Sequence, residues 1–112
     1  MNVFMDDERD PKEILGAEAS KWIVVRTIEG MMDLLRKGMV DDVSLDHDMG
    51  GKFDPEGREM NGYWLCKWMR DMNYWPKGDI RVHSKNEAGA LNMISILKDR
   101  EVYQQIFEED LE

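Results

Sequence analysis

Asp46, His47 and Asp48 follow one another at the end of the apolar run Val43-Ser44-Leu45, and Met49-Gly50-Gly51 comes next. Carboxylates flanking an imidazole can hold a cation, orient a proton carrier, or do both. Two further stretches end in the same manner: Asn2-Val3-Phe4-Met5 runs into Asp6-Asp7, and Ile80-Arg81-Val82 into His83-Ser84. If the three are parallel neighbours, four carboxylates, two imidazoles and a hydroxyl converge on one pocket. Carboxylates that close repel unless a cation is present, and oxygen ligands suit Mg²⁺ or Mn²⁺. Asp6, Asp7, Asp46 and Asp48 are therefore the candidate metal ligands. The chain has only two histidines, His47 and His83. Each falls at a strand tip beside a polar partner, which suits general acid or base work. Ser84 joins them as the third candidate for the chemistry.

Plainer readings compete at each position. An acidic pair such as Asp6-Asp7 is common in turns. Side chains alternate along a strand, so Asp46 and Asp48 should face one way and His47 the other, unless the strand has already ended. Ser84-Lys85-Asn86-Glu87 fits a capping box, which alone would justify the serine. A capped helix start is also an anion site, and Lys85 and Asn86 would then sit beside a bound phosphate. Cys66, at helical spacing among Trp64, Leu65 and Trp68, reads as inert core.

The elements that must carry these residues alternate along the chain. Strands are expected at Asn2–Met5, Trp22–Val25, the Leu45-Asp46-His47-Asp48 segment and Ile80–His83. Residues 12–20 allow one or two helical turns. Thr27 can cap a helix whose Ile28, Met31, Met32 and Leu35 form one stripe, ended by Gly38. Residues 49–60 have no apolar period and read as a ligand loop or lid. Asn61 can cap a helix with Trp64, Leu65, Trp68, Met69 and Met72 on its apolar face. A last helix buries Ala90, Met93, Ile94 and Leu97. Such alternation implies parallel pairing through right-handed crossovers. The expected architecture is a single α/β domain over residues 1–112, with a four-stranded parallel sheet in the order 2-1-3-4 flanked by helices. Its core spans 1–97, and 98–112 is an acidic tail with helical spacing at Tyr103, Ile106 and Phe107. Arg81 and His83 alternate with Ile80 and Val82, which suits a fourth strand at the sheet edge.

The 112 residues suit one domain, and 42% apolar content should fold it. With 24 acidic and 15 basic side chains the net charge is −9. Nonspecific nucleic acid binding is not expected, since it draws on clustered Lys and Arg. A small phosphate-containing ligand or nucleotide held through a metal stays compatible, because the metal supplies positive charge locally. One cysteine excludes an internal disulfide. No apolar run approaches the roughly 18 residues of a membrane span, and no signal peptide pattern opens the chain. A cytoplasmic protein away from the membrane is the expectation.

An acidic pair after strand one, Asp after strand three and Ser after strand four resemble a receiver domain, a flavodoxin-like fold. More closely, the chain resembles the cyclic-phosphate-processing receiver domains. The marks are Phe4-Met5-Asp6-Asp7-Glu8-Arg9, Leu45-Asp46-His47-Asp48, Asn61-Gly62, and Val82-His83-Ser84 with Asn86 and Gly89, and they run to about residue 97. The resemblance implies that Asp6, Asp7 and Asp46 take the metal and acceptor positions and Ser84 the hydroxyl position. Arg9, Ser84, Lys85 and Asn86 would contact phosphate, and His47 and His83 would divide acid and base roles. An ordinary receiver has a fifth strand ending in lysine, which this sequence does not supply. The implied activity is metal-dependent hydrolysis of a cyclic phosphate on a nucleotide or RNA end. The alternatives are a non-catalytic regulator that binds a nucleotide or a protein, and phosphotransfer to Asp46.

Overall fold

The computed structural model describes residues 1–98 and the backbone of the strand at 103–107. Five parallel strands form one sheet in the order β2-β1-β3-β4-β5. They are β1 (Asn2–Met5), β2 (Trp22–Val25), β3 (Val43–Leu45), β4 (Ile80–Ser84) and β5 (Tyr103–Phe107). The helices are α1 (Lys12–Leu15), continued by a 3-10 turn over Gly16–Lys21, then α2 (Ile28–Arg36), α3 (Gly62–Met72) and α4 (Glu87–Leu97). The expected order 2-1-3-4 is present, and the sheet extends one strand further.

That extra strand corrects two expectations. The segment from Tyr103 to Phe107 is extended rather than helical, in register Ile80↔Tyr103 through Ser84↔Phe107. An uncovered β4 would leave a row of backbone donors and acceptors open, and a segment with Tyr, Ile and Phe suits filling it. β4 is therefore an inner strand. The acidic run Glu108-Glu109-Asp110 lies outside the described residues. The alternation of Arg81 and His83 has another origin, namely a second sheet face with its own polar interior.

Val3, Met5, Val43, Leu45, Ile80 and Val82 point to one face, where α2, α3 and α4 bury Met31, Leu35, Leu65, Met69, Met93 and Leu97 against them. The opposite face holds Phe4 and Trp22 under Ile14 of α1, together with buried Ser44 and His83. Caps set the helix starts. Thr27 Oγ1 accepts from Gly30 N at 3.0 Å, and Asn61 Oδ1 from Trp64 N at 2.9 Å. Past α2, Gly38 takes φ +67°, the left-handed geometry that lets the chain turn back. The expected stripes face the core, but Met32, Trp64, Trp68 and Ile94 are only half-buried, Met72 is exposed, and Ile96 is buried on α4 in addition.

Residues 49–60 are not the structureless lid their composition suggests. Asp54 Oδ1 accepts from Glu56 N and Arg58 N, each at 2.9 Å. Its Oδ2 accepts from Trp64 Nε1 at 2.9 Å, and Phe53 pairs with Glu59 across a bridge. One carboxylate thus folds the loop and ties it to α3.

Candidate functional site

β1, β3 and β4 are adjacent, so the residues after their carboxyl ends meet. At the end of β1 the chain turns over its own side chain. Asp6 Oδ1 accepts from the backbone N–H groups of Glu8 and Arg9, each at 2.9 Å. Its Oδ2 accepts from Arg9 Nε at 3.0 Å and faces His83 Nε2 at 3.1 Å. Arg26 clips this turn to the end of β2, donating to the carbonyls of Asp6 and Arg9 at 3.1 and 2.7 Å. Burial alone would raise the Asp6 pKa. The hydrogen bonds from His83 and from the Arg9 and Glu8 backbone, with the Arg9 charge, win and hold it well below the usual carboxylate range.

Asp46, one residue past β3, has the opposite balance. Burial, reinforced by the Asp6 charge, pushes its pKa up to about 7 against the pull of Arg9 and the His47 N–H. Its Oδ1 accepts from His47 N at 2.8 Å and lies 3.5 Å from Arg9 Nη2. One guanidinium therefore spans two unlike carboxylates. Both are buried.

His83 lies beneath them, fully buried, its ring stacked on Phe4 at 4.4 Å and 5°. Both ring nitrogens are taken: Nδ1 is 2.7 Å from Ser44 Oγ, and Nε2 meets Asp6. Desolvation pushes its pKa down against the opposing influence of Asp6. His47 is placed differently. Its Nδ1 is 2.7 Å from Asp48 Oδ1, and Asn86 Nδ2 donates to the same Asp48 oxygen at 3.4 Å. The His47 ring leans on Gly89 at the start of α4, where an added Cβ would come within 2.5 Å of Cγ. Its carbonyl accepts from Gly62 N at 2.7 Å, and Asn86 Nδ2 also lies 3.4 Å from its Nδ1.

Several expectations change with this geometry. β3 ends at Leu45, so strand alternation no longer governs residues 46–48, and Asp48 turns to His47 instead of sharing a face with Asp46. Asp7 leaves the cluster for an adjoining cleft of about 170 Å³, which Arg26, Ile28, Met49, Lys52 and Met60 also line. Ser84 does not cap α4. Its Oγ accepts from Asn86 N at 3.0 Å, and Asn86 Oδ1 caps the helix through Gly89 N at 2.9 Å. Lys85 is exposed. His83 stands where it was expected, but inside rather than at the mouth. Ser44 and Arg26 escaped the sequence reading, and Gly89 was a mark of the resemblance without a role. A lone serine inside the apolar run Val43–Leu45 was the available signal for the first.

Among the described residues, Asp6, Asp46 and His83 bring ligand atoms within 4.8 Å of one another. The donor chemistry fits a hard divalent cation: two carboxylates share a buried space in which one resists ionisation, and added positive charge would relieve it. Asp6 has its four lone-pair directions taken by Glu8, Arg9 twice and His83. A cation would have to displace one of these donors to reach it.

Residues 1–99 match the family model described as the cyclic-phosphate processing receiver domain. The fold is similar to the BeF3-activated N-terminal receiver domain of RstA from Klebsiella pneumoniae. That match has 18% identity, covers 96% of this chain and 84% of that one, and has a TM-score of 0.64. It is also similar to a CheY-like response regulator receiver domain protein from Methanospirillum hungatei JF-1, at 22% identity, 98% and 86% coverage and a TM-score of 0.65. No curated protein sequence matches the chain.

Proposed function

The chain belongs to the cyclic-phosphate processing receiver family, and from that premise we propose that it opens a cyclic phosphate ester by hydrolysis. The substrate class is a nucleotide or an RNA end. One observation carries this reading: two buried carboxylates, Asp6 and Asp46, share the Arg9 guanidinium near a His47–Asp48 pair at the same sheet edge. Asp6 and Asp46, joined by Asp7 once its side chain rotates in from the adjoining cleft, would hold Mg²⁺ or Mn²⁺, which when bound draws charge from phosphoryl oxygens. His47 Nδ1–H donates a hydrogen bond to Asp48, which leaves the Nε2 lone pair for a water molecule. Water attacks phosphorus and its proton passes to His47. One ring P–O bond breaks, and the departing oxygen takes the proton from His47. The product is a phosphomonoester. Arg9, released from Asp6, pairs with a non-reacting oxygen, and Ser84, Lys85 and Asn86 border the phosphate.

A second reading has its own support. The similar solved structures are receivers, and Asp46 is at the tip of β3 beside the acidic turn, which suits phosphotransfer to its carboxylate. Mixing the protein with 2′,3′- and 3′,5′-cyclic nucleotides and Mg²⁺ or Mn²⁺ tests the first reading. Mixing it with acetyl phosphate, followed by intact-mass measurement, tests the second. Phosphomonoester formation that Asp46→Asn abolishes supports hydrolysis. A phosphorylated chain with no ring opening replaces that reading by phosphotransfer. Binding of a cyclic nucleotide without turnover makes the domain a non-catalytic regulator.

A further inference from the structure

We propose that Ser44, His83 and Asp6 form one hydrogen-bonded positioning unit, in which His83 neither ligates a metal nor exchanges a proton with substrate. The inference deepens the proposed reading of this site, on which its purpose rests, but its bonding argument stands independently. The chain of contacts runs Ser44 Oγ to His83 Nδ1 at 2.7 Å, then His83 Nε2 to Asp6 Oδ2 at 3.1 Å. All three residues are buried, with exposures of 0%, 0% and 1%. The Phe4 ring covers one imidazole face.

The direction of each bond follows from what the ends can do. An ionised carboxylate only accepts. Oδ2 of Asp6 therefore needs a proton on His83 Nε2, just as it takes one from Arg9 Nε. The Ser44 hydroxyl is fully buried, and His83 Nδ1 is the acceptor that its proton meets. Nδ1 is then bare and can only accept, so Ser44 Oγ–H donates to it. Nε2, the His83 nitrogen that faces the carboxylates, consequently has no lone pair to offer a cation. Of the three groups within 4.8 Å, two remain ligands. His83 instead fixes the orientation of one of them, as histidines and carboxylates beside metal ligands commonly do. Ser44 sits on β3 opposite Phe4 of β1 and Arg81 of β4, where only a small hydroxyl side chain completes the bond.

The test uses the full chain and Mn²⁺ alone. Long-range ¹H–¹⁵N spectra of the wild type should show His83 protonated on Nε2 and bare on Nδ1. Ser44→Ala should move the Nδ1 resonance and leave Nε2 protonated. In calorimetric titration, His83→Gln should keep Mn²⁺ affinity within about threefold. Its amide can donate to Asp6 and accept from Ser44. His83→Ala should weaken Mn²⁺ by about 10–100-fold, the span for partners of metal ligands. A bare Nε2 in the wild type overturns the proposal. So does a Gln variant as impaired as Ala. If His83→Ala does not fold, the spectra and the Gln variant still decide. If the wild type takes up no Mn²⁺, the metal reading fails while the spectra continue to judge this one.

Discussion

Gly89→Ala should separate activity from stability. An added Cβ at Gly89 would stand 2.5, 2.6 and 2.7 Å from Cγ, Cδ2 and Nδ1 of His47. Carbon atoms pack best at about 3.5–4.0 Å, so ring and helix must part by about 1 Å. The ring cannot yield by a small rotation, because its inner edge is what the methyl meets. His47 is only partly buried, so it can swing outward at the expense of the 2.7 Å bond to Asp48. Gly89 has no positive φ, and alanine in a helix gains about 0.5–1 kcal/mol over glycine. The melting temperature should therefore stay within a few degrees of wild type. Turnover of a cyclic nucleotide should fall about 100-fold, the usual cost of a 1 Å misplacement. The assay pairs turnover with thermal unfolding and with the His47 ring proton shifts. Unchanged turnover with shifted ring protons would falsify the role given to His47. Unchanged shifts would mean that α4, not the ring, gives way.

Asp46→Asn should stabilise the metal-free protein at pH 8 and abolish Mn²⁺ binding. The folded pKa of about 7 lies above the ordinary 3.8, so ionising Asp46 costs stability. The loss grows from pH 4 to pH 7 and is complete above that, at most about 4 kcal/mol from 1.36 kcal/mol per unit. Thermal unfolding at pH 4 and pH 8 checks this: the gain in the variant should vanish at pH 4. In the wild type, Mn²⁺ affinity should drop as pH falls below 7, since the ion must displace a proton; a pH-independent calorimetric isotherm would remove Asp46 from the ligand set. Arg9→Gln should tighten Mn²⁺ by clearing Asp6 Oδ2, yet weaken cyclic nucleotide binding, and weaker Mn²⁺ would show that guanidinium and metal coexist. Gly62→Ala should destabilise by about 1–3 kcal/mol through overpacking, because its Cβ would meet the Asp46 carbonyl at 2.3 Å and Met93 Cε at 2.7 Å. Denaturant unfolding measures it.

Local chemistry determined a good deal of this protein from sequence alone. Apolar runs that stop at Asp6 and Asp46 fix two strand ends, because a buried strand does not readily continue into charged residues. Thr27 and Asn61 mark helix starts by the bonds their short side chains can make to the next turn. The alternation of strand and helix then leaves few parallel topologies, and the order 2-1-3-4 follows. The fate of individual side chains was another matter. Asp6 and Asp46 are the same residue type at the same kind of strand tip, yet their carboxyls titrate far apart. The difference lies in which donors reach each one across the sheet. His83 and His47 likewise read alike in the chain, while Ser44, 39 positions from His83, binds one and Gly89 shapes the seat of the other. The fifth strand at 103–107 was hidden because Tyr103, Ile106 and Phe107 satisfy helical spacing locally, and only the open edge of β4 selects the extended form. Strand ends and caps depend on neighbours within a few residues, which a sequence displays. Protonation, ring orientation and edge pairing depend on partners brought together by folding, and the tertiary structure alone decides them.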